Sequence, residues 1–327
     1  MYKLINKTQI TKKENQLLAS AAPLSPAQKR MWYLHQLNPE SSAYNISTAV
    51  HFQGPLDLTR LKQSLFSIFD KHHILKTGFL EKDGQIKQIV YPELILNIPQ
   101  TDLSQSTKKK QKKQVKEHLV TNAQTVFDLA NPPLIRIHIL KLADTDYIFQ
   151  LTCHHIVADG WSMGIITREV MQNYSNIPLS TSGEGLGVRP KVPKQYLDYV
   201  AWQKAYLTPE RVDTQLKYWE KQLKGPIPFL NLPLDHIRPK ELQFKGARYC
   251  FKINKKLTAD IKAFCKAEQV TLFTFLLAIF NLQLFRYTQE PDICIGIPDA
   301  GRKKSFAKTI GFFINTLVMR TTIKEHA

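Results

Sequence analysis

The chain of 327 residues predicts a mixed α/β protein of two lobes, and three observations carry that reading. Strand-like runs adjoin segments of helical spacing. Leu134-Ile-Arg-Ile-His-Ile-Leu-Lys-Leu142 alternates at period two with Arg136 and His138 on its polar side, and Tyr147-Ile-Phe-Gln-Leu-Thr-Cys153 follows after a turn at Ala143–Asp146. Beyond it, Ser162–Tyr174 reads as a helix that Ser162 can cap, with an apolar stripe of Ile165, Ile166, Val170 and Met171. The length is long for one compact layer, and the linker-like Ser180-Thr-Ser-Gly-Glu-Gly-Leu-Gly187 places a lobe boundary at 179–193.

The other elements follow in order. Residues 1–22 are polar and weakly patterned, a leader or docking tail. Ser25 caps a first helix with Pro26 at its first position and Met31, Leu34 and Leu37 at helical spacing. Ala43–Gln53 reads as a strand and Asp57–Lys71 as a helix. Phe79–Glu81 and Gln85–Tyr91 flank an Asp83-Gly84 hairpin turn. A lysine-rich helix spans about 107–125. In the second half, helices are expected near 209–223, 256–267 and 271–287, with strands near 246–253 and 292–297. No internal repeat is visible.

Composition excludes several classes. Hydrophobic residues make up 43%, no apolar run is as long as a membrane span, and the start lacks a signal-peptide core. The net charge of +18 comes mostly from lysine; its densest cluster, Lys108–Lys113, reads as the solvated start of an amphipathic helix, with no nucleic-acid motif beside it. Four scattered cysteines fit reduced thiols in the cytoplasm. H-E-x-x-H and C-x-x-C are both absent, so no metal site is expected.

The chemistry centres on Cys153-His154-His155-Ile-Val-Ala-Asp159-Gly160-Trp161-Ser162, where a strand ends and a helix begins. Adjacent strand residues face opposite ways, so only one histidine can meet a given substrate. A neutral imidazole is the usual general base near neutral pH. Gly160 permits a tight turn or a close ligand, and Asp159 can orient a histidine or hold a cation.

His154-His155-x-x-x-Asp159-Gly160 resembles the HHxxxDG motif of nonribosomal peptide synthetase condensation domains and of chloramphenicol acetyltransferase-type acyltransferases. Four further stretches are similar to that family's motifs: Ser25-Pro-Ala-Gln-Lys-Arg30 with Trp32-Tyr33; Lys71-His72-His73-Ile-Leu-Lys76-Thr-Gly-Phe79; Tyr196-Leu-Asp-Tyr199-Val-Ala-Trp202; and Ile310-Gly-Phe-Phe-Ile-Asn315-Thr-Leu317 with Arg320, preceded by a Pro298-Asp-Ala-Gly-Arg302 turn. The second motif departs from the family pattern: Lys71, His73 and Lys76 stand for arginine, glutamate and arginine, and lysine lacks the planar guanidinium fork. The His72-His73 pair lies off the catalytic motif and reads as structural. Two later family motifs do not occur in this chain.

The resemblance implies an α/β (α+β) fold of two chloramphenicol acetyltransferase-like lobes in a V, the second incomplete, with lobes at 23–178 and 194–327. It implies that carrier proteins present thioesters on phosphopantetheine arms from opposite mouths of a tunnel, with the donor in trans and other synthetase modules nearby. An acceptor amine then attacks the donor carbonyl to form an amide, with no cofactor bound directly. His155 would take the amine proton or hold the α-amino group. His154 would pack the strand end, Gly160 would stand near the thioester oxygen, and Asp159 would pair with Arg302 across the lobes. Trp161, Ser162 and Asn315 would line the substrate tunnel. No nucleic acid, membrane or metal enters this reading. The alternatives are a free-standing acyltransferase using acyl-coenzyme A or an acyl carrier, or an inactive fragment. The absent motifs make weak turnover and self-association the expectation for the chain as it stands.

Overall fold

The computed structural model describes residues 21–82, 84–175, 193–237, 239 and 246–324. The chain forms two compact units. The first runs through Leu207 and takes back Ala300–Asn315; the second holds Thr208–Asp299 and the chain from Thr316 on. The linker expected at 179–193 lies outside the described residues except for Pro193, and so do the tail, apart from its last two residues, and Asp83 of the hairpin.

In the first unit a four-stranded sheet has the order β2-β7-β6-β5, from β2 (Asn45–Gln53), β7 (Asp146–His154), β6 (Ile135–Ala143) and β5 (Gln100–Asp102). The central pair forms as the alternation predicts. Ile135, Ile137 and Ile139 are buried, while Arg136 and His138 stay half-buried. Strand β7 pairs antiparallel with both neighbours, setting Cys153 opposite Ile46 and Ile135, and His154 opposite Asn45. The lysine-rich helix (Lys108–Gln124) packs against this sheet: Gln111 donates to the carbonyls of Leu103 and Leu142, and Gln150 donates to that of Leu119. Its lysines remain exposed. A second sheet has the order β1-β4-β3, from β1 (Ala22–Pro23), β4 (Gln85–Val90) and β3 (Thr77–Lys82).

The first helix (Pro26–Leu37) starts in a reciprocal cap: the Gln28 amide donates to Ser25 Oγ at 3.1 Å, and the Ser25 amide donates to Gln28 Oε1 at 3.0 Å. The helix Leu58–Lys71 buries Leu61, Leu65, Ile68 and Phe69. The helix after β7 runs Gly160–Tyr174, and Asp159, not Ser162, caps it. Asp159 reaches the Ser162 amide at 2.7 Å, so the helix begins one turn earlier than the Ser162 cap predicts. Ile165, Ile166 and Val170 are buried as expected, whereas Met171 is exposed.

The second unit contains the helices Pro209–Gln222, Lys255–Ala267 and Leu272–Thr288, and the strands β8 (Asp292–Asp299) and β9 (Asn315–Thr322), whose first residue belongs to the first unit. The strand expected at 246–253 is irregular backbone, because no strand among the described residues pairs with it. No single helix among the described residues is long and apolar enough to cross a membrane.

Candidate active site

Strand β7 ends at His154, and the chain turns through His155–Asp159 into the next helix. The turn is dry: Ile156, Val157 and Ala158 are fully buried. The two histidines part as strand geometry requires.

His154 is buried, with its ring near His35, Tyr44 and Phe127. Its Nδ1 accepts from the Ile156 amide at 3.1 Å, which leaves the neutral ring's proton on Nε2, where it has no partner among the described residues. Burial pushes its pKa down to about 3, helped by His35 and His155. It is a neutral wedge at the strand end.

His155 is half-buried. Its amide donates to the Tyr44 carbonyl, and its Nδ1 donates to the Ala158 carbonyl at 3.0 Å. That bond fixes the tautomer and puts the lone pair on Nε2. The Phe312 ring stands edge-on, 5.1 Å between centroids. Burial holds the imidazole below its ordinary value, against the smaller raising effects of the backbone bonds and Asp159. His155 is therefore neutral at pH 7.

Asp159 is buried and fully engaged. It accepts from the Ser162 amide, from the Phe313 amide at 3.2 Å, and from Arg302 Nη2 at 3.1 and 3.2 Å. Arg302 also donates to Ser162 Oγ at 3.0 Å and to the carbonyls of Phe306 and Thr309, and its guanidinium covers the Phe313 ring at 3.8 Å. Burial pulls Arg302 below its ordinary value while Asp159 pulls it back. The pair was expected to span the lobes; both residues lie in the first compact unit.

The segment carrying Arg302 is clasped onto the turn. Ser162 Oγ donates to the Gly311 carbonyl at 2.8 Å and accepts from the Gly311 amide at 3.1 Å. Tyr196 donates to the Phe312 carbonyl at 2.5 Å and meets Ser25 Oγ at 2.9 Å. A Cβ on Gly311 would stand 1.9 Å from the Tyr196 ring, so only glycine allows this approach. Ser162 is thus wholly buried in the clasp and has no surface for a substrate, contrary to its expected place in a tunnel wall. Trp161 is exposed and donates to the Ala307 carbonyl. Asn315 is exposed and accepts from Arg30 at 2.9 Å. Gly160, the first residue of the helix, has open space around it, and its amide is among those without an intrahelical partner.

Sequence reasoning did not find the Ser25–Tyr196–Phe312 clasp. Its one signal was a tyrosine and a glycine in two separate motifs. The aromatic motif packs as expected, Tyr199 and Trp202 lying against Phe306. His72 is buried and bonds Glu169 at 2.9 Å, beside Lys71 on the other carboxylate oxygen. Lys76 meets Asp70 and the Pro92 carbonyl. No cluster of metal-ligating side chains occurs among the described residues.

A family profile described as "Condensation domain" matches residues 19–327. The chain belongs to the condensation-domain family. A linear gramicidin synthase of Brevibacillus parabrevis is 39% identical over 302 residues, 92% of this chain but 6% of that protein. Chondramide synthase of Chondromyces crocatus is 35% identical over 93% of this chain and 8% of its own length. The chain therefore spans a small part of these relatives. Among solved structures, a four-domain nonribosomal peptide synthetase bound to AMP and glycine matches with a TM-score of 0.79 at 24% identity, covering 93% of this chain and 22% of that one. The condensation domain of the monacolin K polyketide synthase matches with a TM-score of 0.78 at 22% identity, over 93% and 68% of the two chains. These likenesses bear out the acetyltransferase-like mixed fold.

Proposed function

We propose that this condensation domain joins a carrier-bound donor thioester to a carrier-bound acceptor amine, with His155 as the working imidazole. The observation that carries the reading is the His155 ring itself. With Nδ1 tied to Ala158, it offers the Nε2 lone pair from a turn that a clasped segment holds in place. The acceptor amine donates to Nε2, which aims the nitrogen lone pair at the thioester carbonyl. The C–N bond forms, the C–S bond breaks, and the proton lost by the amine passes through Nε2 to the departing thiolate. Because burial keeps the imidazole neutral, aligning the amine is its main contribution and storing the proton a brief one. In this reading Gly160, the first residue of the helix, offers its amide to the carbonyl oxygen as charge develops there. Asp159 is no acid in this scheme, since both its oxygens are committed to the clasp.

The phosphopantetheine arms belong to the carriers and enter as part of the substrate. The carriers and neighbouring synthetase modules are the proposed partners, and four free cysteines suit a reducing cytoplasm. The test is amide formation between loaded donor and acceptor carriers by wild type, His155→Ala and His154→Ala. His155→Ala should lower the single-turnover rate about 10²-fold or more with thermal unfolding unchanged. Equal rates for wild type and His155→Ala, with chemistry limiting, would refute the role. Transfer from acyl-coenzyme A to small amines, with carriers inert, would favour the free-standing acyltransferase.

A further inference from the structure

The first unit contains a cavity of about 570 Å³ whose described lining includes neither His154 nor His155. It opens between the end of the first helix, strand β3 and the loop before β6, and none of the residues of the clasped segment lines it. Its wall chemistry runs against the rest of the chain. The protein carries 45 lysines and arginines against 27 acids, yet among the described residues the wall holds Glu40, Glu81 and Asp128 and no lysine or arginine. Asp128 is fixed: the Ala130 amide donates to one oxygen at 2.9 Å and the Asn131 amide group to the other at 2.5 Å. Trp32 and Phe127 supply aromatic surface. Arg136 stacks on one face of Phe127 at 3.6 Å and is not part of the wall.

A second, independent observation comes from His35. It stands in the same wall, is 5% exposed, and its Nδ1 has no hydrogen-bond partner among the described residues. A buried polar side chain without a partner costs free energy unless something completes it. Burial holds the ring below its ordinary pKa, with Asp128 pulling the other way, so at pH 7 it is neutral and does not repel a cation.

We propose that this cavity is a binding site for a small organic cation, an ammonium on an apolar body. The ammonium is held by the Glu40, Glu81 and Asp128 carboxylates and the body by Trp32, with His35 in contact. The chemistry is that of amine recognition generally: carboxylates supply charge and an aromatic face supplies cation–π attraction and apolar contact. The site does not depend on the amide-forming role of His155. It does sit next to the histidine pair, since the His35 ring is 5.2 Å from that of His154. An occupant would be felt there first.

The test is an NMR titration of the whole chain with benzylamine, benzyl alcohol and benzoate at pH 7, following the ring signals of His35 and His154. Benzylamine should shift His35 saturably and lower its pKa. The alcohol and the benzoate should bind at least tenfold more weakly. Glu40→Gln with Glu81→Gln should weaken benzylamine at least tenfold while leaving thermal unfolding unchanged, because both side chains are exposed. His35→Phe, which fills the space without a nitrogen, should weaken it also. Equal binding of alcohol and amine would make this a plain apolar cleft, and no saturable change at His35 would remove the site altogether; either result overturns the proposal.

Discussion

Replacing Arg302 by methionine keeps the length and apolar stem of the side chain and removes its charge. Asp159 then stays buried with two amide donors, from Ser162 and Phe313, and no counter-ion. The pair is hardly exposed, at 4% for Arg302 and 1% for Asp159, so solvent cannot stand in for the lost partner. Breaking a buried pair from one side costs about 3–5 kcal/mol. For a unit of this size each kcal/mol lowers the melting temperature by roughly 2–4 °C, so a fall of about 6–20 °C is expected. Asp159→Asn keeps an oxygen for the helix cap but leaves the guanidinium uncompensated, and should cost a similar amount. In the double variant neither charge is stranded, and its loss should fall short of the sum of the singles by about 1–3 kcal/mol. Urea unfolding of the four proteins measures the cycle. Losses that add to within about 0.5 kcal/mol would show that the two charges do not depend on each other, and the clasp would have to be held by its neutral bonds.

Gly311→Ala drives a methyl group into the Tyr196 ring and should cost about 3 kcal/mol, measured by denaturant unfolding; an unaffected variant would mean that the clasp is not closely packed. Phe312→Ala admits water to His155, so the imidazole pKa should rise toward its ordinary value and the low-pH limb of amide formation should move up with it; NMR titration reads this directly. His154 binds no proton in the folded state until about pH 3, whereas the unfolded chain takes one up near pH 6.5. Between those values the unfolded state holds more protons, and stability falls as pH falls, by about 1.4 kcal/mol per pH unit for this group. His154→Asn, whose amide oxygen can accept from Ile156, should flatten the stability curve between pH 6 and 4 by that slope, and parallel curves would refute the assignment.

The histidine turn was legible because local patterns flank it: alternation marks β6 and β7, and apolar spacing marks the following helix. Its cap was misplaced for a local reason too. Asp159 and Ser162 are both good caps three residues apart, and the carboxylate reaches the serine amide, so the earlier one starts the helix. What local pattern cannot carry is the clasp. Ser162 meets Gly311 across 149 positions and Tyr196 meets Phe312 across 116, and no periodicity encodes such distances. Family motifs indicated that these stretches matter but not that Ser162 would be sealed inside. The same limit explains the error at 246–253, where the β-prone residues find no neighbouring strand to pair with.

The first unit is not continuous in sequence, and that has a consequence for how it is made. A ribosome that has released Leu207 has delivered every strand of the four-stranded sheet, yet the partner of Asp159 lies almost a hundred residues ahead. At ordinary elongation rates the gap to Asn315 lasts about 5–20 s. During that time the aspartate must keep water around it, which holds open the turn between β7 and its helix. The second unit emerges within the same interval. The histidine turn is therefore expected to be among the last parts of the first unit to close, and protease access to it on stalled nascent chains should persist until the segment with Arg302 and Gly311 has left the exit tunnel.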